Sequence, residues 1–199
     1  MPATSARTQA SAPRCVLLVG FMGAGKTSVG QALGQRLNWL FEDLDDRVER
    51  RTGRSVAEIF RQFGETEFRR AENEALRELI EELRGGLSRV IALGGGAFAQ
   101  PRNVTLLQAG GVPTVFLDAP VAELWRRCRE QAKSNGLERP LLRSFESFQE
   151  LYRSRRRSYE QASLLVRTGG RTVDAIIEEI VEVLRLKKVV TRMEQGEAE

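Results

Sequence analysis

The run Gly20-Phe21-Met22-Gly23-Ala24-Gly25-Lys26-Thr27 has the residue types and spacing to grip a polyphosphate, because it fits G-x-x-x-x-G-K-[ST] without a departure. Its glycines let the backbone turn so that N–H groups converge on phosphate oxygens. The positive end of the helix that follows adds to that field. Gly23, Ala24, Gly25, Lys26, Thr27 and Ser28 are the expected cradle. Lys26 should reach the β- and γ-phosphates, and the Thr27 hydroxyl should meet Mg²⁺. The motif therefore implies ATP with Mg²⁺ and leaves the acceptor open.

Carboxylates are the next candidates. Asp43 and Asp45 follow a short apolar run, Trp39–Phe41, at what should be the C-terminal end of a strand. In open parallel sheets ligands bind at that edge. One carboxylate there can orient metal-bound water. The other can accept a hydrogen bond from a hydroxyl that attacks phosphorus, a step governed by positioning and charge. Read alone, Asp45 and Asp46 also suit the start of a helix. Gly94-Gly95-Gly96 ends another apolar run and allows either a ligand against bare backbone or a flexible turn. Arginines recur at Arg69-Arg70, Arg126-Arg127, Arg139 and Arg155-Arg156-Arg157, and an anionic acceptor needs such planar, bidentate donors.

The elements that must position these groups alternate. Apolar runs at Cys15–Gly20, Trp39–Phe41, Val90–Leu93, Thr114–Leu117 and Leu164–Val166 read as buried strands. Between them lie helical segments at Lys26–Leu37, Asp45–Arg51, about Glu65–Leu83 and Pro101–Gln108, then one opened by Pro120; another closes the domain at Thr172–Leu186. Ser55-Val56-Ala57-Glu58 has capping-box spacing. This alternation predicts an α/β fold with three layers and a central five-stranded parallel sheet. The polar stretch from Gln131 to Ser147, with Asn135-Gly136 and Arg139-Pro140, is expected to be a long loop, functional or disordered.

Composition narrows the chemistry further. The chain has 199 residues, enough for one domain, with a net charge of +4. It has no histidine and only two cysteines, Cys15 and Cys128, which removes imidazole acid–base schemes and the usual zinc spacings. No run approaches the roughly 18 apolar residues of a membrane span, and the basic residues are spread rather than gathered in an arm, so neither membrane nor nucleic acid is an expected partner. Residues 1–13 read as a disordered tail and 187–199 as a charged one, leaving a single domain over 14–186.

Taken together, the sequence resembles the shikimate kinase family from Val16 to about Leu184. The resemblance rests on GFMGAGKT, the DLD of Asp43–Asp45, RTGRSVAEIF followed by GETEFRR, LGGGA, ERPLL and RRRSYEQAS. It implies a P-loop kinase, monomeric and cytoplasmic, that moves the γ-phosphate of ATP to shikimate. Lys26, Asp45 and Arg139 would be catalytic, with Asp45 binding the acceptor hydroxyls as base. Thr27 and Asp43 would serve the metal, Asp43 through water. Arg69 and Arg155 would hold the substrate carboxylate, Phe60 and Phe68 would lie against the ring, and Gly94, Gly95 and Gly96 would line the site. Arg127 would pack on adenine, Arg171 would sit in the adenine loop, and Arg139 would ride on a lid over about Gln131–Leu141. The family pattern Arg-x-Pro-Leu-Tyr here reads Arg155-Arg156-Arg157-Ser158-Tyr159, so Arg156 competes with Arg155 for the second carboxylate position. A gluconate-type kinase of the same architecture, or a regulator that binds ATP without transfer, are the other readings.

Overall fold

The computed structural model of the chain describes residues 13–135 and 144–188. Five parallel strands form one sheet: β1 (Cys15–Val19), β2 (Leu40–Asp43), β3 (Arg89–Ala92), β4 (Thr114–Asp118) and β5 (Leu164–Arg167), in the order β2-β3-β1-β4-β5. Its register is set by pairs such as Leu17↔Ile91 and Leu18↔Val115. β1 is buried along its whole length, as a central strand covered on both faces must be. The helices are α1 (Lys26–Leu37), α2 (Leu44–Thr52), α3 (Val56–Arg84), α4 (Pro101–Ala109), α5 (Val121–Asn135), α6 (Phe145–Tyr159) and α7 (Val173–Leu184).

Local sequence explains the boundaries that matter to function. β2 runs on past Phe41 to Asp43, whose carboxylate accepts a hydrogen bond from Asp45 N–H at 3.0 Å and caps α2. The capping box is present: Glu58 N–H donates to Ser55 Oγ, and the Glu58 carboxylate accepts from Ser55 N–H at 2.8 Å. α3 begins there, ten residues or so before the expected start, and breaks at Gly64, where φ is 80° and ψ 178°. That backbone conformation favours glycine.

An ionic cluster anchors the β2 edge. Glu42 is buried and receives Arg47 at 3.0 Å, with Arg50 and Arg89 also on it, while Arg47 reaches Glu82 at 2.9 Å. It ties α2 and α3 to the sheet, and so fixes the segment carrying Asp43 and Asp45. Burial pushes the Glu42 carboxyl up, but Arg47 and Arg89 outweigh this and leave it below its ordinary range.

One expectation changes here. The segment expected to be a long loop is largely helical where it is described, because α5 continues to Asn135 and α6 starts at Phe145. The run Val121–Asn135 carries an amphipathic pattern that the polar composition after Gln131 obscured. The rest of the expected lid, with Arg139, lies outside the described residues.

Candidate active site

A cleft of about 520 Å³ opens at the C-terminal ends of β1, β2 and β3. It brings together Gly23, Gly25, Lys26, Thr27 and Ser28 on one side with Asp43, Asp45, Phe60, Phe68, Arg69, Gly94, Gly95, Gly96 and Arg155 on the other. Residues far apart in sequence meet there because every parallel strand delivers its C-terminal loop to the same edge.

On the first side, the loop between β1 and α1 turns through Gly23 (φ 80°) and Gly25 (φ 91°). Gly25 is the N-cap of α1 and has no side chain to accept from the first helical N–H groups, which stay available to an anion. Ala24 is buried, and its N–H is held by Phe21 O at 3.2 Å. The Lys26 ammonium folds back on its own loop, donating to Gly20 O at 3.0 Å and Phe21 O at 3.1 Å. Burial lowers its pKa, while Asp43 and Asp45 oppose that shift.

On the second side, Asp45 projects from the first turn of α2. Its Oδ1 is buried without a hydrogen-bond partner. Burial, reinforced by Asp43, raises its carboxyl to about 6, with Lys26 and Arg69 pulling the other way. Burial likewise raises Asp43. The glycine run makes room for these side chains. A Cβ on Gly94 would lie 2.6 Å from Asp45 Oδ1, and one on Gly96 would lie 2.5 Å from Arg69 Nη2. At Gly94 and Gly96 the close approach is made by the site's own carboxylate and guanidinium. Gly95 O accepts a hydrogen bond from the buried Tyr159 hydroxyl.

Arg69 stacks on Phe68 at 5.1 Å, and Phe68 meets Phe60 at 4.7 Å between ring centroids, with Phe60 exposed at the cleft mouth. Arg155 faces the cleft and lies over Phe21, 5.9 Å from the ring. Arg156 turns elsewhere: it pairs with Asp118 at 3.1 Å, and Tyr152 OH donates to the same carboxylate at 2.8 Å. Successive helix residues point about 100° apart, which separates the two arginines. Arg127 reaches Gly23 O at 3.3 Å and Thr168 O at 3.4 Å, linking the phosphate loop to the loop after β5. Arg171 does not line the cleft. It is held by Arg167 O at 3.1 Å, Ala175 O at 2.9 Å and Glu179.

Among the lining residues that the sequence reading did not name, two are charged. Glu65 and Glu72 both bind Arg69, at 3.0 Å each. Their spacing from Arg69, four before and three after on one helix, was the available signal. Burial pushes the Glu72 carboxyl up, and Arg69 opposes it.

A sequence model of a family described as shikimate kinase matches residues 22–185. A shikimate kinase of Geobacter sulfurreducens is 40% identical over 176 residues, covering 86% of this chain and 91% of the relative. One from Thermus thermophilus is 41% identical over 175 residues, covering 85% and 89%. The solved structure of a shikimate kinase from Acinetobacter baumannii in complex with shikimate superposes with a TM-score of 0.76 at 31% identity, covering 88% of this chain and 94% of that one.

Proposed function

This chain belongs to the shikimate kinase family, and from that premise we propose that it transfers the γ-phosphoryl group of ATP to the 3-hydroxyl of shikimate, yielding shikimate 3-phosphate and ADP. The observation that carries the reading is the unpartnered, buried Oδ1 of Asp45, in the same cleft as the phosphate loop and two arginines. A buried acceptor without a partner costs stability, and an incoming hydroxyl supplies the missing donor.

The division of labour follows from placement. Lys26 leaves the carbonyls of Gly20 and Phe21 and donates to phosphate oxygens, where it offsets charge as the phosphoryl group moves. Asp45 orients the attacking hydroxyl and takes its proton as the oxygen–phosphorus bond forms. A carboxyl near 6 is ionised at neutral pH yet basic enough for this task. Arg69 and Arg155 hold the substrate carboxylate from two helices, with Phe60 and Phe68 along the ring. Thr27 and Asp43 offer hard oxygen donors beside the cradle, which suits Mg²⁺, and that ion when bound spreads the charge of the phosphates. Arg127 and the loop after β5 border the nucleotide side, and Arg139, outside the described residues, is assigned to the ATP phosphates.

We further assign the chain to a single kinase domain over 14–186, active as a cytoplasmic monomer without nucleic-acid or membrane partners. Among the described residues no helix is long and apolar enough to cross a membrane. Several arginines are paired with the chain's own acids, as in Arg51–Glu74, Arg70–Glu67 and Arg126–Glu130. The test is coupled ADP release by the purified chain with shikimate or gluconate as acceptor. Release with shikimate is expected, and equal or faster release with gluconate would overturn the assignment.

A further inference from the structure

All three guanidinium nitrogens of Arg69 donate to the chain's own carboxylates. Its Nε and Nη2 donate to Glu65 Oε1 at 3.2 and 3.0 Å, and its Nη1 donates to both oxygens of Glu72 at 3.1 and 3.0 Å. The Nε–Nη2 edge is one of the guanidinium edges that can hold a carboxylate through two parallel N–H groups. The two partners differ in kind. The Glu72 side chain is 1% exposed and built into the core of the cleft wall, whereas the Glu65 side chain is 66% exposed at its mouth. Glu65 also follows directly on Gly64, where α3 breaks and where a Cβ would meet open space. One carboxylate of the pair is fixed, and the other hangs beside a backbone break with solvent to move into.

We propose that Glu65 is an internal stand-in for the substrate carboxylate, holding the Nε–Nη2 edge of Arg69 and yielding it when substrate binds. The inference rests on the reading that Arg69 receives that carboxylate. It makes Glu65 a specificity-determining residue. A simple carboxylate gains at Arg69 only what Glu65 already supplies, so it displaces Glu65 with no net advantage. A ligand that also brings a hydroxyl to the orphaned Oδ1 of Asp45 gains an interaction that Glu65 cannot match. Glu72 keeps Arg69 in place throughout, so the arginine need not be reoriented during the exchange.

The test uses the full chain with Glu65→Gln, Glu65→Asp and Arg69→Ala, measuring shikimate affinity by calorimetry and steady-state kinetics, with benzoate as a carboxylate lacking hydroxyls. Exposed ion pairs are weak, so Glu65→Gln should tighten shikimate by about two- to fivefold. The gain should appear in KM, with kcat changed by less than about twofold. Benzoate should inhibit Glu65→Gln more strongly than the parent, and Glu65→Asp should resemble the parent. In an Arg69→Ala background the effect of Glu65→Gln should vanish. Equal or weaker shikimate binding by Glu65→Gln, together with a loss in Arg69→Ala, would overturn the stand-in role alone. Unchanged binding by Arg69→Ala would overturn the reading of Arg69 and this inference with it.

Discussion

On the nucleotide side of the cleft the groups that face a ligand are mostly backbone, delivered by consecutive residues between β1 and α1. On the acceptor side they are side chains from separate elements: Asp45 from α2, Arg69 from α3 and Arg155 from α6. The first side needs few rotamers to be right, and its lysine, Lys26, rests on its own loop. The second side gathers buried carboxylates and guanidiniums from distant parts of the chain. It therefore carries the raised carboxyls of Asp45 and Glu72, and an arginine already satisfied by its neighbours. Binding phosphate asks little of the tertiary structure beyond one turn, whereas recognising an acceptor asks for the whole sheet edge.

Three perturbations would break or sharpen that contrast. The largest effect belongs to the nucleotide side. Lys26→Ala should cut kcat by about 10²–10³, since one preorganised donor to the transferring group is lost, while circular dichroism stays native. Near-parental turnover would remove Lys26 from the chemistry. An intermediate effect belongs to the acceptor side. Arg155→Ala should raise KM for shikimate about tenfold to a hundredfold, matching the roughly 1.5–3 kcal/mol of a charge-assisted hydrogen bond. Arg156→Ala should leave that KM near the parent's, because Arg156 is spent on Asp118 and Glu160. The opposite pattern would move the substrate arginine by one residue.

The smallest effect is one of pH. With the Asp45 carboxyl at about 6, kcat/KM for shikimate should fall about tenfold per pH unit below that value. The stability sign is the reverse. A carboxyl raised in the folded state adds stability that is complete below its unfolded pKa and lost as pH rises through about 6. Asp45→Asn should therefore melt a few degrees above the parent at pH 7.5, and that advantage should disappear near pH 4. Equal melting temperatures at pH 7.5 would mean that Asp45 is not desolvated.

How much was legible in the sequence follows the same divide. The phosphate loop was readable because its chemistry sits in one contiguous pattern between a buried strand and an amphipathic helix. Asp43 and Asp45 were readable in place, but their relation was not. Asp43 turned out to cap α2 through Asp45 N–H, while Asp45 alone has the orphaned oxygen. Counting four residues back from Tyr159 selects Arg155 and leaves Arg156 a competitor, because the choice depends on how α6 is rotated; Arg156 and Tyr152, one turn earlier, both bind Asp118 at the end of β4. Glu72 was missed because its spacing of three from Arg69 marks a pair but not burial: the exposed pair Arg70–Glu67 has the same spacing. The helical continuation of α5 to Asn135 was missed because polar composition was weighed above period.

The most direct test of the account is Asp45→Asn, assayed for turnover with shikimate and for KM toward ATP in the same preparation. Asparagine keeps the shape and loses the charged acceptor, so kcat should fall by at least about a hundredfold while KM for ATP stays within about twofold of the parent. Parental turnover would reduce Asp45 to a residue of the α2 first turn, and the cleft would then lack the group that aims the attacking hydroxyl.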